Sequence, residues 1–560
     1  REYDTKSGKV TKETEADGSV TTYTYGYTKN PYLVTKTTKQ TGYEELNDGK
    51  VEWKTKESVT ETSYDEQENT ISETEEDGTK TEYTYDTTSE WTEDQPKTEV
   101  VTKGETVISK ENYTYSKTGN LKKEEESGDP SNKSITENTY DGDGNVLEST
   151  TTVAGIETSK TTSKYDLSGN ATESATTSGD VESQEKNTYD VMGRVTKKTD
   201  PDTGEVTEYT YDELGRQIKS VSTLNGKSQT TTSAYDANGT VVSETGTDGV
   251  KTDYVYDSLN RVVKRTVTKG TSLTYTTAYS YGDVTVQDGR GTRTVKNASI
   301  QKESYPSGTT ASETYTDASG NVVREKANGL YTDYTYDASG NQVVAYENGT
   351  SADAAEGKVT LALFDEEGRN FATIVNPGVS GETYQVGDDS LVTKQSYDTK
   401  GNVAKETDAM GTATAYSYDD SDRVTEVIQN AGKDGAVVTK ASYETDTENQ
   451  KNKTTVTDAG GRKSIEVTDA AGLIKSSQDQ GEKEDESIAT AYSYDSRGNQ
   501  TKVTYENGDY REDTYDARNL KIVSKYYQAD GTQTLQTNYQ YDDQYRLTKM
   551  TDAKKSGSER

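Results

Sequence analysis

The chain has 560 residues and sets 63 Lys and Arg against 99 Asp and Glu, a net charge of −36 whose long-range field argues against nucleic acid and anionic membranes as partners. It contains no His and no Cys, which removes the commonest neutral-pH acid/base, thiol nucleophiles, disulfides and thiolate metal sites, and leaves carboxylate, Ser/Lys and calcium chemistry open. Hydrophobic residues make up 28%, a figure that includes 43 Tyr, so apolar material is too scarce for a succession of conventional cores.

No stretch approaches 18 consecutive apolar residues, and positions 1 to 10 lack the apolar centre of a signal peptide. The chain starts in mid-pattern at Arg1-Glu2-Tyr3-Asp4 and reads as part of a longer protein, with export and anchoring elements elsewhere. From there Tyr-Asp pairs recur at 3, 64, 85, 140, 165, 189, 211, 235, 256, 336, 397, 418, 494, 515 and 541, with Phe364-Asp365 of the same character. Near neighbours lie 21 to 26 residues apart, a repeat period that governs the fold reading.

Taken along the chain, residues 26–63 interrupt the period around Gly26 and Pro31, and 87–112 do so around Trp91 and Pro96. Regular units follow at Tyr140-Asp141-Gly142-Asp143-Gly144-Asn145, Tyr211-Asp212-Glu213-Leu214-Gly215 and Tyr254-Val255-Tyr256-Asp257, then at Tyr336-Asp337 with Gly340. Residues 343–396 are irregular again, Tyr397-Asp398 with Gly401 restores the unit, 444–491 substitutes Thr-Asp for Tyr-Asp, and Tyr494-Asp495 with Gly498 returns. These irregular stretches read as lengthened hairpins or degenerate repeats within one array spanning 1–560, since no Pro/Gly/Ser-rich linker divides it.

Within a unit, Asp bonds its own backbone and Gly three residues on accepts positive φ, so Asp-x-x-Gly is a turn; Tyr at i and i+2 shares one face of the strand entering it. A second turn stands halfway, as at Glu76-Asp77-Gly78, Asp248-Gly249 and Asn507-Gly508. Two strands per period, rich in Thr, Val and Tyr and without 3.6-residue periodicity, predict an all-β fold: a continuous antiparallel hairpin strip of about 45 strands at roughly 11 residues each. A flat ribbon that long is untenable, so the strip must coil into a spiral, tube or hollow shell, its tyrosines stacked across neighbouring hairpins.

The acidic runs Glu75-Glu76-Asp77, Glu124-Glu125-Glu126 and Glu484-Asp485-Glu486 suit solvated turns and strand ends better than acid/base pairs, because nothing brings two carboxylates across a cleft. Asp141-Gly142-Asp143-Gly144-Asn145 comes nearest to a calcium loop but lacks the final Glu, and the recurring turn accounts for the same residues. There is no phosphate-binding Gly loop and no nucleophile elbow, and the Asn-x-Ser/Thr sites number about what a Thr-rich chain produces by chance. No catalytic residue, metal ligand or cofactor is assigned.

The units quoted above, together with Tyr397 to Val403 and the Thr316-Asp317 to Val322 variant, give the chain a close likeness over nearly its whole length: it resembles the Rhs/YD-repeat proteins of bacterial polymorphic toxins and cell-surface polypeptides, with teneurins as distant relatives. The resemblance implies a secreted or cell-surface bacterial scaffold. Its strip would spiral into a shell that encloses, presents or delivers another domain, such as a C-terminal toxin outside these residues. The family's Asp-Pro-x-Gly cleavage module is not matched by Asp129-Pro130 or Asp200-Pro201, so neither cleavage module nor toxin is expected here. A surface module binding carbohydrate or protein is the alternative reading, and a carboxylate-dependent carbohydrate-active enzyme a distant third.

Overall fold

The computed structural model describes the chain except residues 15–18, 76–77, 87–90, 127–132, 271, 308–309, 338–339, 351–356, 366, 382, 482–486, 543 and 555–560. Glu76 and Asp77, Asp129-Pro130, the Ala/Glu stretch 351–356 and Glu484-Asp485-Glu486 therefore lie outside the described residues. Among the rest, 46 strands form a single antiparallel sheet, with no helix. Each strand pairs with its neighbour in sequence, with one departure: Asn370–Val375 pairs directly with Leu391–Tyr397, while the short hairpin Gly378–Ser380/Thr383–Gln385 leaves the strip and reaches Lys50.

The strand composition explains the ladder. In Val206–Tyr211 the half-buried Tyr209 and Tyr211 share one face, and Glu208 and Thr210 point to solvent from the other. Most Tyr-Asp turns are three-residue loops in which the Asp N–H donates to the carbonyl four residues on and the N–H three residues on, usually that of Gly, donates back to the Asp carbonyl, as at Asp398, Asn402 and Gly401 (2.9 and 3.2 Å); the loops after Asp4 and Asp86 are longer. The register slips at each Tyr, for example between Thr335 and Tyr336, which is the bulge that a left-handed Gly340 (φ +85°) produces. On the opposite edge many turns have two residues, both left-handed, as at Asn225-Gly226 (φ 52° and 77°) and Asn328-Gly329 (51° and 81°), matching the right-handed twist of the strands.

The strip coils onto itself. Lys475 Nζ pairs with Asp180 Oδ2 at 2.9 Å across 295 residues of chain, and the Glu157 N–H donates to Gln450 Oε1 at 3.0 Å across 293. The Glu182 N–H donates to the Ser496 carbonyl at 2.7 Å, and Lys103 approaches Glu367 to 3.8 Å. In each case the two-residue-turn edge of the earlier coil meets the edge of the later coil where the Tyr-Asp turns lie. Roughly 25 strands separate Asp180 from Lys475, so at about 4.8 Å per strand one coil has a circumference of about 120 Å and a backbone diameter of about 40 Å.

Composition argued against conventional cores, yet one forms locally. Register places Thr335, Val344, Leu361 and Ile374 side by side on the face opposite Tyr334 and Tyr336. Three hairpin tips cover that face. The long hairpin Val34–Asn47/Lys50–Tyr64 contributes Leu46 and Val51, the short one contributes Tyr384, and Ser272–Gln287/Thr292–Ser304 folds over so that the Gln287 N–H reaches Asp333 Oδ2 at 2.7 Å. The fit is close at Gly289 (φ +83°), where a Cβ would come within 2.7 Å of Val359 Cγ2. Each buried Val, Leu or Ile contributes about 1.5–3 kcal/mol, so this patch concentrates what the rest of the strip lacks.

Candidate functional site

The recurring chemistry of this chain is the Tyr-Asp unit, and it joins hairpins to one another. At Asp141, Oδ1 accepts the N–H groups of Asp143 and Asn145, both at 2.9 Å, and Oδ2 accepts Asn145 Nδ2 at 2.9 Å. The Asn145 bonds, side chain first and then backbone, hold the Asp141 carboxyl below its ordinary value. Both oxygens are thus engaged by the turn itself, and the calcium-like spacing of 141–145 serves the loop. At Asp212 and Asp257 the fourth residue is Arg: Arg216 Nε sits 2.7 Å from Asp212 Oδ2 and Arg261 Nε 2.9 Å from Asp257 Oδ2. Asp398 and Asp495 hold Asn402 and Asn499, as Asp337 holds Asn341.

Each guanidinium also covers the tyrosine of the next unit. Arg194 lies 4.7 Å from the Tyr211 ring centroid, Arg216 4.6 Å from Tyr235, Arg369 4.6 Å from Tyr397 and Arg423 4.4 Å from Tyr443. The phenol then reaches backwards, donating to the carbonyl of the residue that opens the preceding unit's outgoing strand. Tyr140 donates to Leu121 (2.5 Å), Tyr211 to Val195 (2.7 Å), Tyr256 to Val241 (2.6 Å), Tyr336 to Val322 (2.8 Å), Tyr397 to Asn370 (2.6 Å) and Tyr494 to Ile474 (2.8 Å). Burial raises the Tyr256, Tyr336 and Tyr397 hydroxyls above their usual range, which keeps them protonated donors.

The sequence-derived positions therefore occupy one recurring geometry. Gly144, Gly215, Gly340, Gly401 and Gly498 all have φ between +79° and +94°, and Asn260 (φ 61°) takes the same place after Asp257. Tyr254 and Tyr256 share a face with ring centroids 6.4 Å apart, and Tyr254 donates to Glu244 Oε2 at 3.1 Å. Between successive Tyr-Asp tyrosines, which are two strands apart, the expected ladder of rings gives way to this phenol–carbonyl and guanidinium–ring chain, while rings elsewhere do meet, at Tyr27–Tyr64 (5.5 Å between centroids) and Tyr510–Tyr527 (4.7 Å, stacked). The signal for it was the Asn or Arg recurring directly after Gly, whose role the spacing alone does not disclose.

Of the acidic runs, Glu124 is pushed up by burial and by Glu111, whereas Lys133 and Lys123 hold Glu125 below the usual carboxylate value; both lie in the strand Leu121–Glu126. Among the described residues no group of three or more Asp or Glu is placed to hold a metal ion.

Four segments, 188–228, 235–272, 317–351 and 397–434, match the family model described as RHS Repeat. No curated protein matches the chain. Solved structures that resemble it include the crystal structure of TcdB2-TccC3-Cdc42 (12% identity, TM-score 0.37, 97% of this chain and 31% of that one) and that of TcdB2-TccC3 (12%, 0.37, 96% and 32%). A third is the Photorhabdus luminescens Tc holotoxin pore (11%, 0.22, 95% and 35%). The chain spans about a third of the length of the solved chains it matches.

Proposed function

We propose that this chain, four segments of which match the RHS Repeat family, is a non-catalytic Rhs/YD-repeat scaffold, the wall of a shell or tube that encloses, presents or delivers another domain, such as a toxin attached on the C-terminal side. The observation that carries this reading is the seam between coils. Contacts such as Lys475 with Asp180 turn the strip into a wall around an interior about 40 Å across between backbones, wide enough for a folded or partly folded polypeptide. Exposed Tyr-Asp turns bonded to their own carboxylates have no spare chemistry for catalysis, which fits a wall. Secretion or surface display by a bacterium, and a partner that is polypeptide cargo, follow from the same reading.

The test is small-angle scattering of the chain, followed by limited proteolysis of the natural protein with its neighbouring C-terminal domain. A hollow scattering profile and a domain resistant to protease until the wall is opened are expected. A solid or extended profile, or immediate digestion, overturns the proposal.

A further inference from the structure

We infer that the hairpin Val34–Asn47/Lys50–Tyr64 is a latch: its tip fastens the earlier coil to the later one, and the seam between the coils opens along its length when that tip lifts. Such a latch acts on the wall itself, whatever the wall encloses.

The hairpin is built to reach. Its strands have 14 and 15 residues, where the flanking Val20–Tyr25 and Thr70–Glu75 have six each. Pairing with Val20–Tyr25 ends at Gln40, so the chain from Thr41 to the turn at Asp48-Gly49 and back to Lys56 runs on as a two-stranded arm. At about 3.4 Å per residue the arm is about 24 Å long, enough to cross a strand such as Lys358–Phe364 from end to end. Roughly 25 strands lie between this hairpin and Lys358–Phe364, which is one full coil. A two-stranded arm is marginal on its own in water, so it needs the seat that the later coil provides.

That seat is both apolar and hydrogen-bonded. Leu46 and Val51 complete a core whose other members include Val344, Leu361 and Ile374 of the later coil, and Val51 is 3% exposed. The Val386 N–H donates to the Gly49 carbonyl at 2.6 Å, and Lys50 takes a ladder position beside Gln385. Elsewhere the crossings among the described residues are thin. Glu157 with Gln450, Asp180 with Lys475 and Glu182 with Ser496 are single hydrogen bonds or ion pairs, accompanied by isolated buried side chains such as Ile156 and Leu224. Exposed polar pairs exchange with water at little cost, whereas apolar burial strengthens with the area covered, so the fastening is concentrated at the latch. While the tip is seated, a broken crossing is held in place and re-forms. Once it lifts, the remaining crossings open one bond at a time.

A staple tests this in a chain that has no cysteine of its own. A Cβ at Gly49 would lie 3.7 Å from Val386 Cβ, inside the range of about 3.5–4.5 Å that a disulfide spans. The whole chain carrying Gly49→Cys/Val386→Cys is compared by amide hydrogen exchange in its oxidised and reduced forms, so that the cost of a side chain at the left-handed position 49 (φ +77°) is common to both. The disulfide should form and should slow exchange of the Glu157 and Glu182 amides, which are about eight and ten strands from the latch, by about tenfold or more, leaving the ladder within each coil unchanged. Val51→Asp unseats the tip and should accelerate the same two amides by about tenfold or more with the strand signal in circular dichroism retained. The staple decides the matter by itself where Val51→Asp does not fold. Failure of the disulfide to form, equal exchange at Glu157 and Glu182 in the two redox forms, or a folded Val51→Asp chain with both amides still protected overturns the inference.

Discussion

The Tyr397 hydroxyl donates to the Asn370 carbonyl at 2.6 Å, joining two directly paired strands across 27 residues of sequence, while Arg369 lies over the same ring from the preceding turn. One side chain therefore locks two successive hairpins at the turn edge, where the sheet ladder itself is ending.

Replacing Tyr397 by Phe keeps the ring under Arg369 and removes the hydroxyl. The part-buried Asn370 carbonyl loses its donor, at a cost of about 0.5–1.5 kcal/mol. Because repeats depend chiefly on their neighbours, hydrogen exchange should accelerate around 365–403 and stay unchanged near Tyr140. Uniform exchange along the chain would show that the phenol bond does not couple hairpins.

Gly340 tests the turn. A Cβ there meets nothing within 4 Å, so any penalty is one of backbone conformation at φ +85°. Gly340→Val should destabilise by about 1–3 kcal/mol, and Gly340→Asn much less, since Asn tolerates the left-handed region. Chemical denaturation and local exchange at Tyr336 and Asn341 measure both; equal effects would remove φ as the cause.

The Tyr-Asp period, the strand content and the coiling of the strip were legible because each rests on local chemistry: Asp337 and Gly340 specify their turn within four residues, and Thr and Tyr alternate around it. The seam was not legible, since Asp180 and Lys475 are ordinary charged residues until the curvature of many strands brings them together. The local core was hidden for a related reason. Val344, Leu361 and Ile374 are apolar enough to notice, but their cover comes from tips at Leu46, Val51 and Tyr384, far away in sequence for the first two and on a hairpin that leaves the strip for the third. The missing Tyr-Asp pairs between 256 and 336 were the one trace of the folded-over hairpin Ser272–Gln287/Thr292–Ser304. The phenol–carbonyl bonds needed the two-strand offset between units, which appears only once register is fixed.

Beneath that hairpin, Arg324 and Asp333 form a buried bidentate pair, with Nη2 to Oδ2 at 2.7 Å. Asp333→Asn strands a buried guanidinium and should cost about 3–5 kcal/mol, whereas Arg324→Met with Asp333→Asn removes both charges, keeps an amide oxygen for the Gln287 N–H and should recover part of the loss. A double-mutant cycle by urea denaturation measures the coupling. Additive single and double effects would mean that the two charges do not act as a pair.

Stability should fall at both ends of the pH range. The Arg194 and Arg216 side chains, then backbone N–H groups, hold the Asp190 and Asp212 carboxyls below their usual value. A carboxyl depressed by folding contributes stability that is present above its unfolded pKa of about 3.9 and is lost as pH falls through the folded value. At the other end, burial and the hydrogen bond to Glu325 push Tyr334 up to about 12. Its contribution is complete below its unfolded value of about 10 and disappears as pH rises through the folded value. Tm should therefore decline below about pH 4 and above about pH 10, with tyrosinate absorbance appearing late in the native state. Asp212→Asn should blunt the acid limb only.

The seam should open without unfolding the strip. Lys475 Nζ sits 2.9 Å from Asp180 Oδ2 on the earlier coil and 2.9 Å from Asp469 Oδ2 beside it, and the Asp469 side chain is only 8% exposed. Asp180 is exposed, so its share of the attraction is of the order of a surface pair, about 0–1 kcal/mol, and Asp469 carries the larger loss when the ammonium is removed. The ladder on either side, Lys463–Asp469 with Ile474–Gln480, does not depend on the seam. Lys475→Ala should therefore lower Tm only slightly while accelerating exchange of the Glu182 amide, whose acceptor is the Ser496 carbonyl on the facing coil. Unchanged exchange at Glu182 would mean that backbone contacts alone close the wall. A collapse of Tm would instead make the seam part of the strip's folding unit, and the coils could not separate to release anything held between them.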